Sequence, residues 1–488
     1  MQTDNYISFR SDVTLTMRGE NLCVESKGLS FPWEGLSDLA VAALRKINQE
    51  PATPESLREP FLNSGRLDEW LDFKHRLDLL APLVCHTLYI DSVPTVRLVP
   101  VGFAARYRFS LTSMEESDKY VVSRFAYMRR QDDRWVLESP LGKARAVIMS
   151  PHGFELLMSL SEACTYKTVA EKGNVANSAA SQFLSYLQNA DLLAKIPQSG
   201  PPCEDGDQPL ANWEFHDLLF HTRSRLGRHE GSYGGTYRFK QQFEPLPLIR
   251  PSLSESRINL FKPETDHLSN RDLSFADVAE QRRSIRQHGL EAISVQQLGE
   301  FLFRTARVVK VYHDEVNGQS LCFRPYASGG AIHELEIYPI IRNCRGLEAG
   351  LYRYDPIKHT LEEVSKSTKE TERILLMASQ TLHSDPQVLL VISARFQRLQ
   401  WKYESMAYAL LLKNVGALYQ TMSLTATAMR LAGCPLGGGD SDLFAAAVGL
   451  DYYAETSVGE FALGSRVEND TPVPFPYGSS AESSRGAD

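Results

Sequence analysis

A chain of 488 residues is long enough for two to four domains. Its 43% hydrophobic and 23% charged residues are those of an ordinary globular protein, and a formal net charge of −8 argues against a general nucleic-acid or anionic-membrane binder. The polar start Met1-Gln2-Thr3-Asp4-Asn5 lacks the apolar core of a signal peptide, and Lys413, Asn414, Gln420 and Arg430 interrupt the most apolar stretch, 406–431, so neither export nor a membrane span is expected. Seven scattered cysteines without a C-x-x-C pair signal neither a disulfide framework nor a metal site, and are expected to be reduced thiols in a cytoplasmic protein.

The first two hundred residues read as a repeat. Val24-Glu25-Ser26 returns as Leu137-Glu138-Ser139, and Asp78-Leu79-Leu80-Ala81 as Asp191-Leu192-Leu193-Ala194, each 113 residues on; Ser37 and Ser150, Leu44 and Leu157, Trp70 and Phe183, and Leu71 and Leu184 keep that offset. Two copies of one small domain follow, over 1–100 and 101–197. In the second, Tyr120-Val121-Val122, Trp135-Val136-Leu137 and 144–149 read as strands. Ser150 then caps a helix with Phe154, Leu157 and Leu160 on its apolar face, and a further helix carries Phe183, Leu184, Leu187 and Leu192. Strands followed by helices form a winged-helix-like unit. Such a unit can read DNA with its last helix, or add an extended peptide to a strand edge and seat it against that helix. Residues 175–194 contain no lysine or arginine, which is poor equipment for phosphate contacts and favours peptide capture. Plain scaffolding is the alternative.

Proline, glycine and acid from Pro197 to Asp207 mark a linker at 198–212. Residues 213–475 mix helices and strands in an α+β pattern, and 476–488 read as a disordered tail. Arg282-Arg283-Ser284-Ile285-Arg286 places three guanidiniums and a hydroxyl within five residues, a pattern suited to phosphate. In Arg324-Pro325-Tyr326-Ala327-Ser328-Gly329-Gly330-Ala331 the glycines let backbone approach a flat ligand. Trp401-Lys402-Tyr403-Glu404-Ser405 opens a predicted helix running to Gly433, where a left-handed glycine and Pro435 end it. Leu410, Leu411, Leu412, Val415, Leu418, Met422 and Met429 occupy too many of its faces for a surface helix. The nearly bare run Pro435-Leu436-Gly437-Gly438-Gly439-Asp440 follows, then Leu463-Gly464-Ser465-Arg466. No G-x-G-x-x-G follows a strand, and neither a Walker A nor an H-E-x-x-H is present, so a Rossmann site is not the route to redox chemistry.

Taken together, these segments resemble the flavin-dependent dehydrogenases of the nitroreductase superfamily, and within it the SagB-type branch, most of all the cyanobactin azoline oxidases. The resemblance covers about 213–470 and rests on Lys402-Tyr403, Ala407-Tyr408-Ala409-Leu410, Gly416, Gln420, Gly433 and the glycine run; Lys413 and Thr421 depart from it where the family has glutamate and asparagine. It implies a nitroreductase-like domain that binds FMN, with Arg282, Arg283, Ser284, Ser465 and Arg466 toward the phosphate and ribityl chain and Arg286 at the N1/O2 edge of the ring. Pro325, Ser328, Gly329, Gln420, Leu436, Gly437 and Gly438 then line the flavin. It implies Lys402 and Tyr403 as the catalytic pair that removes the Cα proton while hydride leaves the ring; without the resemblance, Lys402 reads as a snorkelling surface lysine and Tyr403 as packing. It further implies a homodimer, a ribosomal precursor peptide as substrate with its leader held by the N-terminal units, and oxygen as the acceptor. An NAD(P)H-dependent general nitroreductase and a non-catalytic peptide-binding scaffold are the competing readings.

Overall fold

A computed structural model describes residues 2–467 apart from 20, 27–28, 103–106, 230, 265, 267 and 269–270; the tail expected at 476–488 lies outside the described residues. The chain forms two compact units, Met1–Ser232 and Tyr233–Asp488. The second therefore starts twenty residues after the position 213 expected from sequence, because the helix Phe215–Arg223 belongs to the first.

In the first unit the element order recurs at the offset of 113. Strands Val13–Arg18, Asn21–Ser26 and Leu29–Trp33 precede helices Asp38–Gln49, Pro54–Asn63 and Leu67–Leu79. Strands Tyr127–Gln131, Arg134–Glu138 and Ala144–Ile148 precede helices Pro151–Met158, Tyr166–Gly173 and Asn177–Asn189. The matched serines do the same work: Ser37 Oγ accepts from Ala40 N and Ser150 Oγ from Gly153 N, both at 3.3 Å, each satisfying an orphan donor of a helix start.

Pairing differs between the copies. The first strand triplet forms its own three-stranded sheet. The second joins a six-stranded antiparallel sheet in the order Thr3–Phe9, Val84–Ile90, Val93–Pro100, Ala144–Ile148, Arg134–Glu138, Tyr127–Gln131. A boundary at 100 thus falls at the end of a strand whose partner, 144–148, lies beyond it. The helix Asn177–Asn189, expected to seat a peptide, is buried along Ala179, Ala180 and 183–187. It lacks cations because it is core, so the surface argument drawn from its composition does not hold. The expected linker also folds: helices Cys203–Gly206 and Gln208–Ala211 place the buried Glu204 to accept from Ser123 Oγ (2.6 Å) and Arg124 N (2.7 Å).

The second unit is a three-layer α+β domain. Its seven-stranded antiparallel sheet runs Arg257–Asn259, Thr360–Lys366, Gly350–Asp355, Leu335–Ile341, Val388–Arg395, Glu455–Ser465, Leu431–Leu436. The two central strands, Leu335–Ile341 and Val388–Arg395, are buried throughout, as strands covered on both faces must be. Alternate residues serve opposite layers. Ile337, Leu390 and Ile392 pack toward helices Val295–Ala306 and Ala407–Ala428, while Tyr338, Leu389 and Val391 pack toward helices Lys369–Leu382 and Ser441–Val448.

The long helix is shorter at both ends than its sequence suggests. It spans Ala407–Ala428; Lys402 precedes it in a turn, and Tyr403–Glu404 is a short strand paired with Gly234–Gly235. It ends before Arg430, which takes the left-handed conformation (φ +54°). Gly433 is instead mid-strand in Leu431–Leu436, where a Cβ would lie 2.9 Å from Ala426 Cβ, so its smallness serves helix–sheet contact rather than helix termination. Pro435 sits in the same strand, at the sheet edge, where its missing N–H is tolerated. Among the described residues, no helix is long and apolar enough to cross a membrane, and no group of three or more His, Cys, Asp or Glu could hold a metal ion.

Candidate functional site

The second unit gathers the sequence-predicted residues into three clusters. In the first, the segment Arg282–Gly289 lies along the edge strand and the end of its neighbour. Ile285 N donates to Gly433 O (3.0 Å) and Gly289 N to Ser465 O (3.0 Å). Gln387, itself buried, clips the segments together: its side-chain oxygen accepts from Ile293 N and Ser465 N, and its amide donates to Gly289 O and Ser465 Oγ. Ser465 is thereby committed to the scaffold. Arg466 Nε donates to Leu431 O (3.3 Å). Arg286 is exposed, with Arg282, Arg283 and Ser284 half-buried beside it. Ser284 and Arg286 both act on Cys434, whose thiol burial pushes up while these two neighbours pull it down. A group of guanidiniums with a hydroxyl at one sheet end suits a phosphate.

The second cluster holds Lys402 and Tyr403. Gly330 takes the left-handed conformation (φ +64°), and a Cβ there would lie 2.7 Å from Tyr403 Oη and 2.9 Å from Lys402 Nζ, so only glycine lets this loop meet the pair. Lys402 Nζ stands 5.5 Å from the Tyr237 ring and 5.4 Å from the Tyr403 ring, flanked by both. Its backbone O accepts from Tyr237 N (3.1 Å). Asn414 on the long helix anchors the loop: its Oδ1 accepts from Gly329 N (3.1 Å), and its Nδ2 donates to Ser328 Oγ (3.3 Å) and Glu334 Oε1 (2.9 Å). Burial pushes the Glu334 carboxyl up, against the hydrogen bonds from Asn414 and Ser328. Pro325 is exposed.

The third cluster is a cleft of about 510 Å³ between the long helix, through Tyr408, Leu412, Gly416 and Tyr419, and the run Leu436–Gly439 with the strand segment Ser457–Glu460. Cβ atoms on Gly416, Gly437 or Gly438 would meet nothing within 4 Å, so a flat ligand can lie directly on backbone. Tyr419 Oη donates to Leu436 O (3.1 Å) and accepts from Glu460 N (2.7 Å), fixing the glycine run to the sheet. Gln420 is exposed, next to but not among the cleft residues. Lys402 and Tyr403 lie with Gly330, not with the glycine run.

Asn414, Gln387, Tyr419, Glu460 and Tyr237 are not among the site residues expected from sequence. Asn414 was legible only as an interruption of an apolar helix, and Glu460 as one acid in an apolar strand; each is a buried polar group that demands a partner.

The first unit has its own cleft of about 740 Å³, with Tyr127, Arg129, Glu138, Arg145 and Arg223 among its lining residues. The Glu138 carboxylate accepts from Tyr127 Oη (2.7 Å), Arg129 (2.5 Å) and Arg223 (3.2 Å), leaving an excess of positive charge on this face. The third helices of the two repeats also differ. Leu67–Leu79 leaves Leu67, Leu71 and Leu79 exposed, and its Arg76 donates to Glu34 O (3.0 Å), just past the edge strand Leu29–Trp33.

Residues 120–230 match the cyanobactin oxidase ThcOx family, and residues 279–465 match the nitroreductase family. The chain is similar to a protein of Methanocaldococcus jannaschii named as a nitroreductase, MJ1384 (26% identical over 166 residues, 34% of this chain and 79% of that protein). It is also similar to the microcin B17-processing protein McbC of Escherichia coli (29% over 133 residues, 26% of this chain), whose length it spans by about half (49%). Among solved structures, it is similar to a nitroreductase from Ralstonia eutropha (19% identical, 48% of this chain and 98% of that one, TM-score 0.34). It is similar too to the E. coli microcin synthetase McbBCD complex with truncated pro-MccB17 bound (20%, 51% and 92%, TM-score 0.32).

Proposed function

We propose, from the premise that this chain is an oxidoreductase combining a cyanobactin-oxidase segment with a nitroreductase-family domain, that it oxidises thiazolines or oxazolines of a ribosomal peptide to thiazoles or oxazoles. The observation that carries this is the Lys402–Tyr403 pair held against Gly330. A nitroreductase that passes hydride to its substrate needs no base, whereas aromatising an azoline requires loss of a Cα proton as well as hydride.

The enzyme is a flavoprotein, and FMN is the form the residues fit. Arg282, Arg283, Ser284 and Arg466 would hold its single phosphate, and Arg286 would face its ring. Backbone at Gly437 and Gly438 leaves room for a flat ring. When bound, FMN would supply the two-electron acceptor, with oxygen as the terminal acceptor. This chain's residues supply the rest. Lys402 accepts the Cα proton at Nζ, Tyr403 Oη orients the ring or relays that proton, and Asn414 fixes the loop that places both.

The nitroreductase-family domain acts as a homodimer. Tyr408 and Leu412 leave apolar surface on the long helix, the face that also lines the glycine cleft. The first unit recruits the precursor peptide. Its exposed leucines on Leu67–Leu79 beside an edge strand suit an extended leader, so the first repeat, not the second, is the capture element. The test is the visible spectrum of the purified protein. A flavin spectrum that bleaches anaerobically with an azoline peptide, and not with NADPH, supports the reading; bleaching by NADPH alone indicates a general nitroreductase, and absence of flavin a scaffold.

A further inference from the structure

We infer that Glu460 acts as a neutral acid in the glycine cleft, its carboxyl donating a hydrogen bond to an acceptor atom of the flat ligand seated there. This deepens the flavin reading and rests on it.

Glu460 lies on the strand Glu455–Ser465, in register with Leu436 of the edge strand and Val391 of the central strand. It lines the cleft, yet is only 6% exposed. Its backbone N–H is taken by Tyr419, while among the described residues its carboxyl has no hydrogen-bond partner. The glycine run makes room for it: a Cβ on Gly439 would collide with the Glu460 carboxyl. The side chain is largely withdrawn from bulk water while its carboxyl opens into the cleft, so a ligand seated there is the partner it can meet.

Burial, with Asp440 adding repulsion, pushes the carboxyl up to about 7. Asp440 and the Tyr419 phenol are the titratable groups that face it; the two neighbouring strands present Leu436 and Val391. At neutral pH a large fraction therefore carries its proton and can donate. As the pH rises the proton is lost, and a carboxylate beside the cleft opposes any negative charge placed there. Reduction of a flavin adds such charge. The side chain thus ties the ease of flavin reduction to pH, as a positioning residue rather than the base of the Cα step.

The experiment uses the flavin-loaded full chain. The midpoint potential of bound flavin is titrated from about pH 6 to about pH 9 in wild type and in Glu460→Gln, an uncharged donor of the same shape. The wild-type potential is expected to fall more steeply through neutrality than that of E460Q, with the two converging at the acid end. Superimposable profiles would overturn the assignment while leaving the flavin reading intact. A wild-type chain that binds no flavin would overturn that reading first and this inference with it. Should E460Q fail to fold, infrared difference spectroscopy of wild type on flavin reduction reads the same group. A protonated-carboxyl band that shifts near pH 6 and vanishes near pH 9 supports the inference, and its absence at both overturns it.

Discussion

Lys402 earns its position from three neighbours. The Tyr237 and Tyr403 rings flank its Nζ, and Gly330 supplies a surface without a side chain. Lys402→Ala is expected to keep flavin bound, because the phosphate residues belong to another cluster, and to slow anaerobic flavin reduction by azoline about 10²–10⁴-fold, the usual worth of a general base. Stopped-flow absorbance reads this, and a wild-type rate at equal flavin occupancy would move the base elsewhere. Tyr403→Phe separates two roles: a comparable loss marks a proton relay, a smaller one an orienting hydroxyl. Gly330→Ala is the matching steric test. The new methyl has to displace Tyr403 Oη and Lys402 Nζ, and the left-handed backbone adds strain, so reduction slows while flavin content holds.

At the level of elements, the long helix shows what could be read from residues and what could not. Its apolar content was legible, and it does pack Leu411, Val415, Leu418 and Met422 into the core. Its ends were not, because Gly433 and Pro435 look the same in a helix stop and in an edge strand; only the contact with Ala426 separates the two. The repeat was legible through its caps and leucines. The six-stranded sheet joining the copies was not, since strand pairing is decided by tertiary register rather than local pattern. Illegible too were the buried charges under the catalytic sheet. Arg353 is fully buried, 2.9 Å from Glu362 and 3.6 Å from Glu336. Removing one member leaves uncompensated charge, so Arg353→Met is expected to lower unfolding stability by about 3–5 kcal/mol, measured by denaturant titration. A loss under about 1 kcal/mol would mean that water reaches these carboxylates. Asn414→Leu should be milder, about 1–3 kcal/mol, and should also loosen the Ser328–Gly330 loop.

At the level of the molecule, the proposed function assigns recruitment and chemistry to different compact units, which predicts that they can be separated by mutation. The two repeats share one element order but use their third helices differently. In the second, the third helix is spent on the core, with Phe183, Leu184, Tyr186 and Leu187 all fully buried. In the first, the equivalent helix buries only Phe73 and Leu77 and leaves Leu71 56% exposed. A leader peptide added to the edge strand Leu29–Trp33 would meet the repeat whose third helix leaves this leucine in water. Leu71→Asp should therefore cost the protein little stability, because the site is already in water. It should weaken binding of a leader-bearing substrate at least tenfold, the loss of somewhat more than 1 kcal/mol that a central apolar contact carries. The rate of flavin reduction by a short azoline peptide lacking the leader should not change, since no residue of the chemistry is touched. Fluorescence anisotropy with labelled leader and stopped-flow with the short substrate measure the two effects. Unchanged leader affinity would move capture to the arginine-lined cleft around Glu138, where Arg145→Glu is the corresponding variant.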